Sequence, residues 1–144
     1  RSTDAGDTWS PVLTGAVATD WCGLAFSATF GNGERFLYAV GESGSGGQVW
    51  RSGDRGGNWQ QLTLPFINPK QNSLDIACSP LKEGTVYILS GADRRVYKSN
   101  SSGEAGTWSN TGTLPHGPEG GLPINYNWSQ TTYDSHIRCS YRND

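Results

Sequence analysis

A nine-residue phrase returns at near-regular intervals along this chain of 144 residues. Arg1-Ser2-Thr3-Asp4-Ala5-Gly6-Asp7-Thr8-Trp9 is answered by Arg51-Ser52-Gly53-Asp54-Arg55-Gly56-Gly57-Asn58-Trp59, and then, altered, by Lys98-Ser99-Asn100-Ser101-Ser102-Gly103-Glu104-Ala105-Gly106-Thr107-Trp108. Ser2 to Ser52 spans 50 residues and Ser52 to Ser99 spans 47, a period that suits sheet-built repeats rather than helical solenoids. The repeat therefore constrains the architecture before any single residue is weighed.

The phrase has a physical reading of its own. Serine and aspartate oxygens accept hydrogen bonds from backbone amides a few residues on. The glycine supplies a backbone angle closed to other residues, and the tryptophan opens the next strand and covers the turn. Each copy is thus expected to form a self-contained hairpin corner, with Asp4 and Asp54 structural rather than catalytic. The third copy lacks the aspartate and carries two extra residues, so it is expected to be looser.

Between the corners lie short β-branched and aromatic runs bounded by turn residues, the pattern of strands. Leu24–Ser27, Phe36–Gly41 and Gln48–Arg51 in one unit are matched by Asp75–Cys78, Thr85–Leu89 and Arg95–Lys98 in the next. Gly31-Asn32-Gly33 and the stretch from Glu42 to Gly47 supply turns where hairpins need them, and no segment shows helical spacing over three turns. Four strands per period is the unit of a β-propeller blade.

The pattern Ser-x-Asp-x-Gly-x-x-Trp at this spacing resembles the Asp-box, or BNR repeat, and the resemblance covers nearly the whole chain. Ser2, Asp4, Gly6, Trp9, Ser52, Asp54, Gly56, Trp59, Ser99 and Trp108 carry it. Proteins of this kind include sialidases, xyloglucan-cleaving glycoside hydrolases, sortilin-type sorting receptors and a photosystem assembly factor. The segment Gln130–Ser140 is also similar to the first-strand opening of large secreted bacterial BNR-repeat proteins. The resemblance implies an all-β chain: a β-propeller segment of four-stranded antiparallel blades, with the Asp-box turns between third and fourth strands. Residues 1–19 then form a last strand with its box, 20–72 and 73–132 two complete blades, the second with a long link, and 133–144 the first strand of another. On this reading the chain is a segment of one of at least roughly 300 residues, and its partners include the remaining blades of the same or another chain.

Composition removes several classes of function. No apolar run approaches the roughly 18 residues of a membrane helix, so membrane insertion is not expected. A formal charge of -2 with only three lysines leaves no basic stripe for nucleic acid. There is no methionine and no leader-like start; secretion or cell-surface display is expected from the resemblance alone. Cys22, Cys78 and Cys139 are too widely spaced for a metal or redox motif, and neither a metal nor a cofactor is expected. Cys78 and Cys139 align with Phe26 at a strand position expected to be buried, where cysteine packs as a small hydrophobe. At most one bridge could join the three.

Up-and-down blades place the boxes and Gly31-Asn32-Gly33 on one side. Glu42–Gly46, Leu64–Ser73 and the long link from Asn110 to Tyr133 fall on the other, where a loop-built mouth is expected. The link holds His116, Glu119, Tyr126, Trp128 and Tyr133, followed by Asp134, and Trp21 stands before the first strand. Aromatic rings beside carboxylates suit a sugar-binding cleft; the same rings also suit anchors for a long loop. Glu119 and Asp134 are the weak candidates for the carboxyl pair of a glycoside hydrolase, a pairing that their sequence separation leaves undefined. Asn100 and Asn127 head Asn-x-Ser sequons in loops. The expected role is a binding or structural scaffold for a glycan or protein; the alternative is a glycoside hydrolase segment, sialidase-like or xyloglucanase-like, with catalytic carboxylates partly outside the chain.

Overall fold

The computed structural model describes residues 1–13, 20–43, 46–65, 74–90, 95–113 and 137–139. These residues contain eight strands and no helix. The first four, β1 (Asp20–Phe26), β2 (Leu37–Ser43), β3 (Gly46–Ser52) and β4 (Gln60–Gln61), form one sheet in sequential order. The second sheet repeats this with β5 (Leu74–Cys78), β6 (Val86–Ser90), β7 (Arg95–Ser99) and β8 (Ser109–Thr113). Every pairing is antiparallel, and neither sheet closes on itself. The all-β expectation holds, and each expected run falls on a strand or at its edge.

Register carries the repeat into three dimensions. Ala25 pairs with Tyr38 and Tyr38 with Arg51, while Val40 pairs with Gly23 and Val49. In the second sheet Ala77 pairs with Tyr87, Tyr87 with Lys98, and Leu89 with Asp75 and Val96. Side chains alternate along a strand, so each sheet presents one face carrying alanine, tyrosine, two aliphatics and a cation. The other face carries Leu24, Phe26, Leu37 and Trp50 in the first sheet and Ile76, Cys78, Val86, Ile88 and Tyr97 in the second.

The tyrosine-bearing face of the first sheet packs on the aliphatic face of the second. Tyr38, Val40, Val49 and Leu62 meet Leu74, Ile76, Val86 and Ile88 in one core. Complete burial of such side chains contributes about 1.5–3 kcal/mol each. Glycine permits the approach at two points. A Cβ on Gly47 would collide with Leu74 Cδ1, and one on Gly23 would lie 3.2 Å from Val40 and 2.9 Å from Asp75. A polar latch closes the rim: Tyr38 Oη and Arg51 Nη1 donate to the Ser102 carbonyl at 3.2 and 2.9 Å, and Arg51 also pairs with Glu104 at 2.7 Å.

On the opposite face of the first sheet the β1 side chains are open, while Ala39 and Ser52 are buried and Leu37 and Trp50 half-buried. Leu24 and Phe26 are 70% and 64% exposed, although Ile76, at the place of Leu24 in the second sheet, is buried. The expectation of a buried position is therefore corrected at Phe26, which is exposed; Cys78 is half-buried and packs against the core, and Cys139 is half-buried. The reason is tertiary, since that face is covered where a neighbouring sheet lies on it and bare where none does.

Candidate functional site

Each corner is built around its serine hydroxyl. Ser52 Oγ accepts from the amides of Asp54 and Gly56 at 3.3 and 2.8 Å and donates to Asp54 Oδ1 at 2.8 Å. Asp54 in turn accepts from the amide and side-chain nitrogen of Asn58 at 2.7 and 2.6 Å. The first corner repeats this net with Ser2, Asp4, Gly6 and Thr8. Acceptance of several donors favours the carboxylate form. Asp54 is lowered to about 2, first by the Asn58 amide, then by its side chain and Ser52. Asp4 lies well below the usual carboxylate range, first through the Ser2 hydroxyl and then through Thr8. Both carboxylates are committed to turn amides, an arrangement for holding a corner.

The third corner keeps this frame without the aspartate. Ser99 Oγ, fully buried, accepts from the amides of Ser101 and Gly103, both at 3.1 Å, and pairs with Thr107 Oγ1 at 2.6 Å. Thr107 bonds the Glu104 carbonyl, so the two extra residues form an added turn that stands where the carboxylate would be. The glycine expectation is met, with φ of +105°, +84° and +79° at Gly6, Gly56 and Gly103. The sequence reading missed the residue before it: Ala5, Arg55 and Ser102 are also left-handed, at 57°, 60° and 55°. This conformation disfavours side chains, and the Ser102 carbonyl in the third corner takes the two latch bonds.

The tryptophans differ with their surroundings. Trp9, 74% exposed, donates its indole N–H to the Gly6 carbonyl at 3.0 Å. Trp59 and Trp108 are half-buried, with ring atoms 3.6 and 3.0 Å from where a Cβ on Gly56 or Gly103 would stand. Their indole nitrogens have no hydrogen-bond partner among the described residues.

A hollow of about 470 Å³ opens at the corner end of the sheets. Ser27–Thr29 and Arg35 line it from the β1–β2 turn, and Pro80, Leu81 and Glu83 from the β5–β6 turn. Phe26, Cys78 and Cys139, which occupy one position of the repeat, line it together. Ile137 lies against β5, its amide donating to Asp75 Oδ2 at 2.8 Å. Burial, followed by the charge of Cys139, pushes the Cys78 thiol up to about 12, and burial also raises Cys139 and Cys22. All three cysteines are free.

Of the residues singled out for ligand binding, Trp21 lies on β1 opposite Gly41, at the end away from the corners, and is 47% exposed. His116, Glu119, Tyr126, Trp128, Tyr133 and Asp134 lie outside the described residues, as does Asn127. Asn100 is exposed, with its Oδ1 accepting from Thr85 Oγ1 at 3.2 Å. Among the described residues no group of three or more His, Cys, Asp or Glu side chains gathers to hold a metal. No helix among them is long and apolar enough to cross a membrane. Set against models of known families, curated proteins and solved structures, the chain matches none.

Proposed function

We propose that the chain is a segment of a secreted or cell-surface Asp-box β-propeller, each four-stranded sheet a blade, acting as a binding or structural scaffold for a glycan or protein. The observation that carries the architectural part is the shared hollow of Phe26, Cys78 and Cys139. Equivalent positions of three successive units meet there, the convergence that first strands around a common axis would produce. The corners after β3 and β7, which share the serine hydroxyl accepting from the glycine amide four residues on, support the same reading. Both well-formed corner carboxylates are used up by turn amides, which favours scaffold over catalyst at those positions.

Binding belongs on this reading to the loops at the end away from the corners, including Trp21 and the link with His116, Tyr126, Trp128 and Tyr133. A glycan panel tests it, read both for retention and for release of reducing sugar. Retention without turnover, lost in Trp128→Ala, is the expected result. Turnover abolished by Glu119→Gln or Asp134→Asn would replace the scaffold by a glycoside hydrolase.

A further inference from the structure

The chain has one Asn-Gly step, Asn32-Gly33, and the β1–β2 turn presents both residues to solvent. Two backbone bonds close the turn: the Phe30 amide donates to the Glu34 carbonyl and the Gly33 amide to the Phe30 carbonyl, both at 2.8 Å. The Asn32 side chain is held at both of its polar atoms. Oδ1 accepts from the Glu34 amide at 3.0 Å, and Nδ2 donates to Glu34 Oε2 at 3.1 Å. The first of these bonds folds the side-chain carbonyl back over the Gly33 peptide, which sets Cγ beside the Gly33 nitrogen, and it draws electrons away from Cγ. Gly33, at φ +82°, has no side chain to block that approach, and a Cβ on it would meet nothing within 4 Å. Two other asparagines show the contrast. Asn58 gives its amide and Nδ2 to Asp54 and is followed by the bulky Trp59. Asn100 is followed by Ser101, whose amide donates to the fully buried Ser99 hydroxyl. The Gly33 amide also donates, but in an exposed turn where its bond opens without uncovering the core.

We infer that Asn32 is a modification site, at which the side-chain amide is lost by ring closure on the Gly33 nitrogen. That nitrogen bonds to Cγ, the Cγ–Nδ2 bond breaks, and Nδ2 leaves as ammonia with the proton that Gly33 gives up. Water then opens the five-membered imide. Attack at Cγ breaks its new bond to nitrogen and leaves aspartate. Attack at the backbone carbonyl carbon of Asn32 breaks the original peptide bond and leaves isoaspartate, whose main chain runs through the side chain. Either product sets a carboxylate beside Glu34 and adds one negative charge to a formal net of -2. Isoaspartate also lengthens the main chain by one carbon inside a turn that the Phe30–Glu34 bond has to close. Thr29 and Arg35, joined at 2.6 Å, flank the turn and line the hollow at the corner end, so the change reaches the wall of that hollow. The inference is independent of the ligand reading of the loops.

Incubation of the full chain at about pH 8 and about pH 5, followed by peptide mapping by mass, tests it. The peptide holding Asn32 is expected to gain one mass unit and to split into two products, faster at the higher pH because the attacking nitrogen must lose its proton. Enzymatic methylation of isoaspartate marks the second product. The peptides holding Asn58 and Asn100 are expected to keep their mass over the time in which half of Asn32 converts. Gly33→Ala is expected to slow the conversion at least about tenfold, since a Cβ crowds the attacking nitrogen and raises the barrier. Far-ultraviolet circular dichroism checks that the variant is folded, and the urea-unfolded chain serves as the reference for time. An Asn32 peptide of unchanged mass in the folded chain, once the unfolded chain has converted, overturns the inference. So does equal conversion at Asn58 or Asn100, or an undiminished rate in folded Gly33→Ala.

Discussion

Ser52 gathers two backbone amides and a carboxylate around one hydroxyl that is 1% exposed. Ser52→Ala leaves those amides without their acceptor in a buried corner, and a buried unsatisfied donor costs about 1–3 kcal/mol. The unfolding free energy from urea titration is expected to fall by about 2 kcal/mol. Ser2→Ala, in the exposed first corner, is expected to lower it by less than about 0.5 kcal/mol. Asp54 adds a pH dependence. Its folded value, about 2, lies below the ordinary aspartate value of 3.8, so its contribution is complete above 3.8 and is lost as pH falls through 2. Melting curves of Asp54→Asn and the unchanged chain are therefore expected to converge between pH 4 and 2, a window set by those same values.

At the level of elements, the contact between sheets depends on absent side chains as much as on present ones. Gly47 faces Leu74, itself 1% exposed and without room to move. Gly47→Ala is expected to destabilise by about 1–3 kcal/mol through overpacking, read by chemical denaturation. The latch separates its two parts on mutation. Arg51 is 10% exposed and Glu104 56% exposed, so the ion pair is weakened by water at one end. Glu104→Gln is expected to cost no more than about 0.5 kcal/mol. Arg51→Met, which removes the bond to the Ser102 carbonyl as well, is expected to cost about 1–2 kcal/mol. Equal losses in the two variants would mean that the ion pair, and not the carbonyl contact, holds the sheets together.

For the molecule as a whole, the core is shared: Ile88 is fully buried among residues of both sheets. Ile88→Ala opens a cavity expected to cost about 2–5 kcal/mol. Because both sheets lose contacts, calorimetry should show one transition moved to lower temperature; two separate transitions would mean that the sheets fold independently.

The strands, their order and the glycine angles of the corners were legible in the chain, because alternation and turn chemistry are local. The third corner was less so: Thr107 serves there in place of an aspartate only because an added turn brings its hydroxyl to Ser99. The left-handed Ala5, Arg55 and Ser102 carry residue types that give no sign of the angle. Of the candidate binding residues, Trp21 alone lies among those described, and its exposure was not written in its neighbours.

By itself, then, the amino-acid order determined the periodic sheets and the corners that end their third strands, since hydrogen bonds spanning four residues need nothing from elsewhere. Tertiary structure alone decided which apolar side chains are covered. Leu24 and Ile76 hold one place in the repeat, yet one faces solvent and the other a neighbouring sheet, because burial belongs to whatever packs alongside and not to the strand that carries the residue.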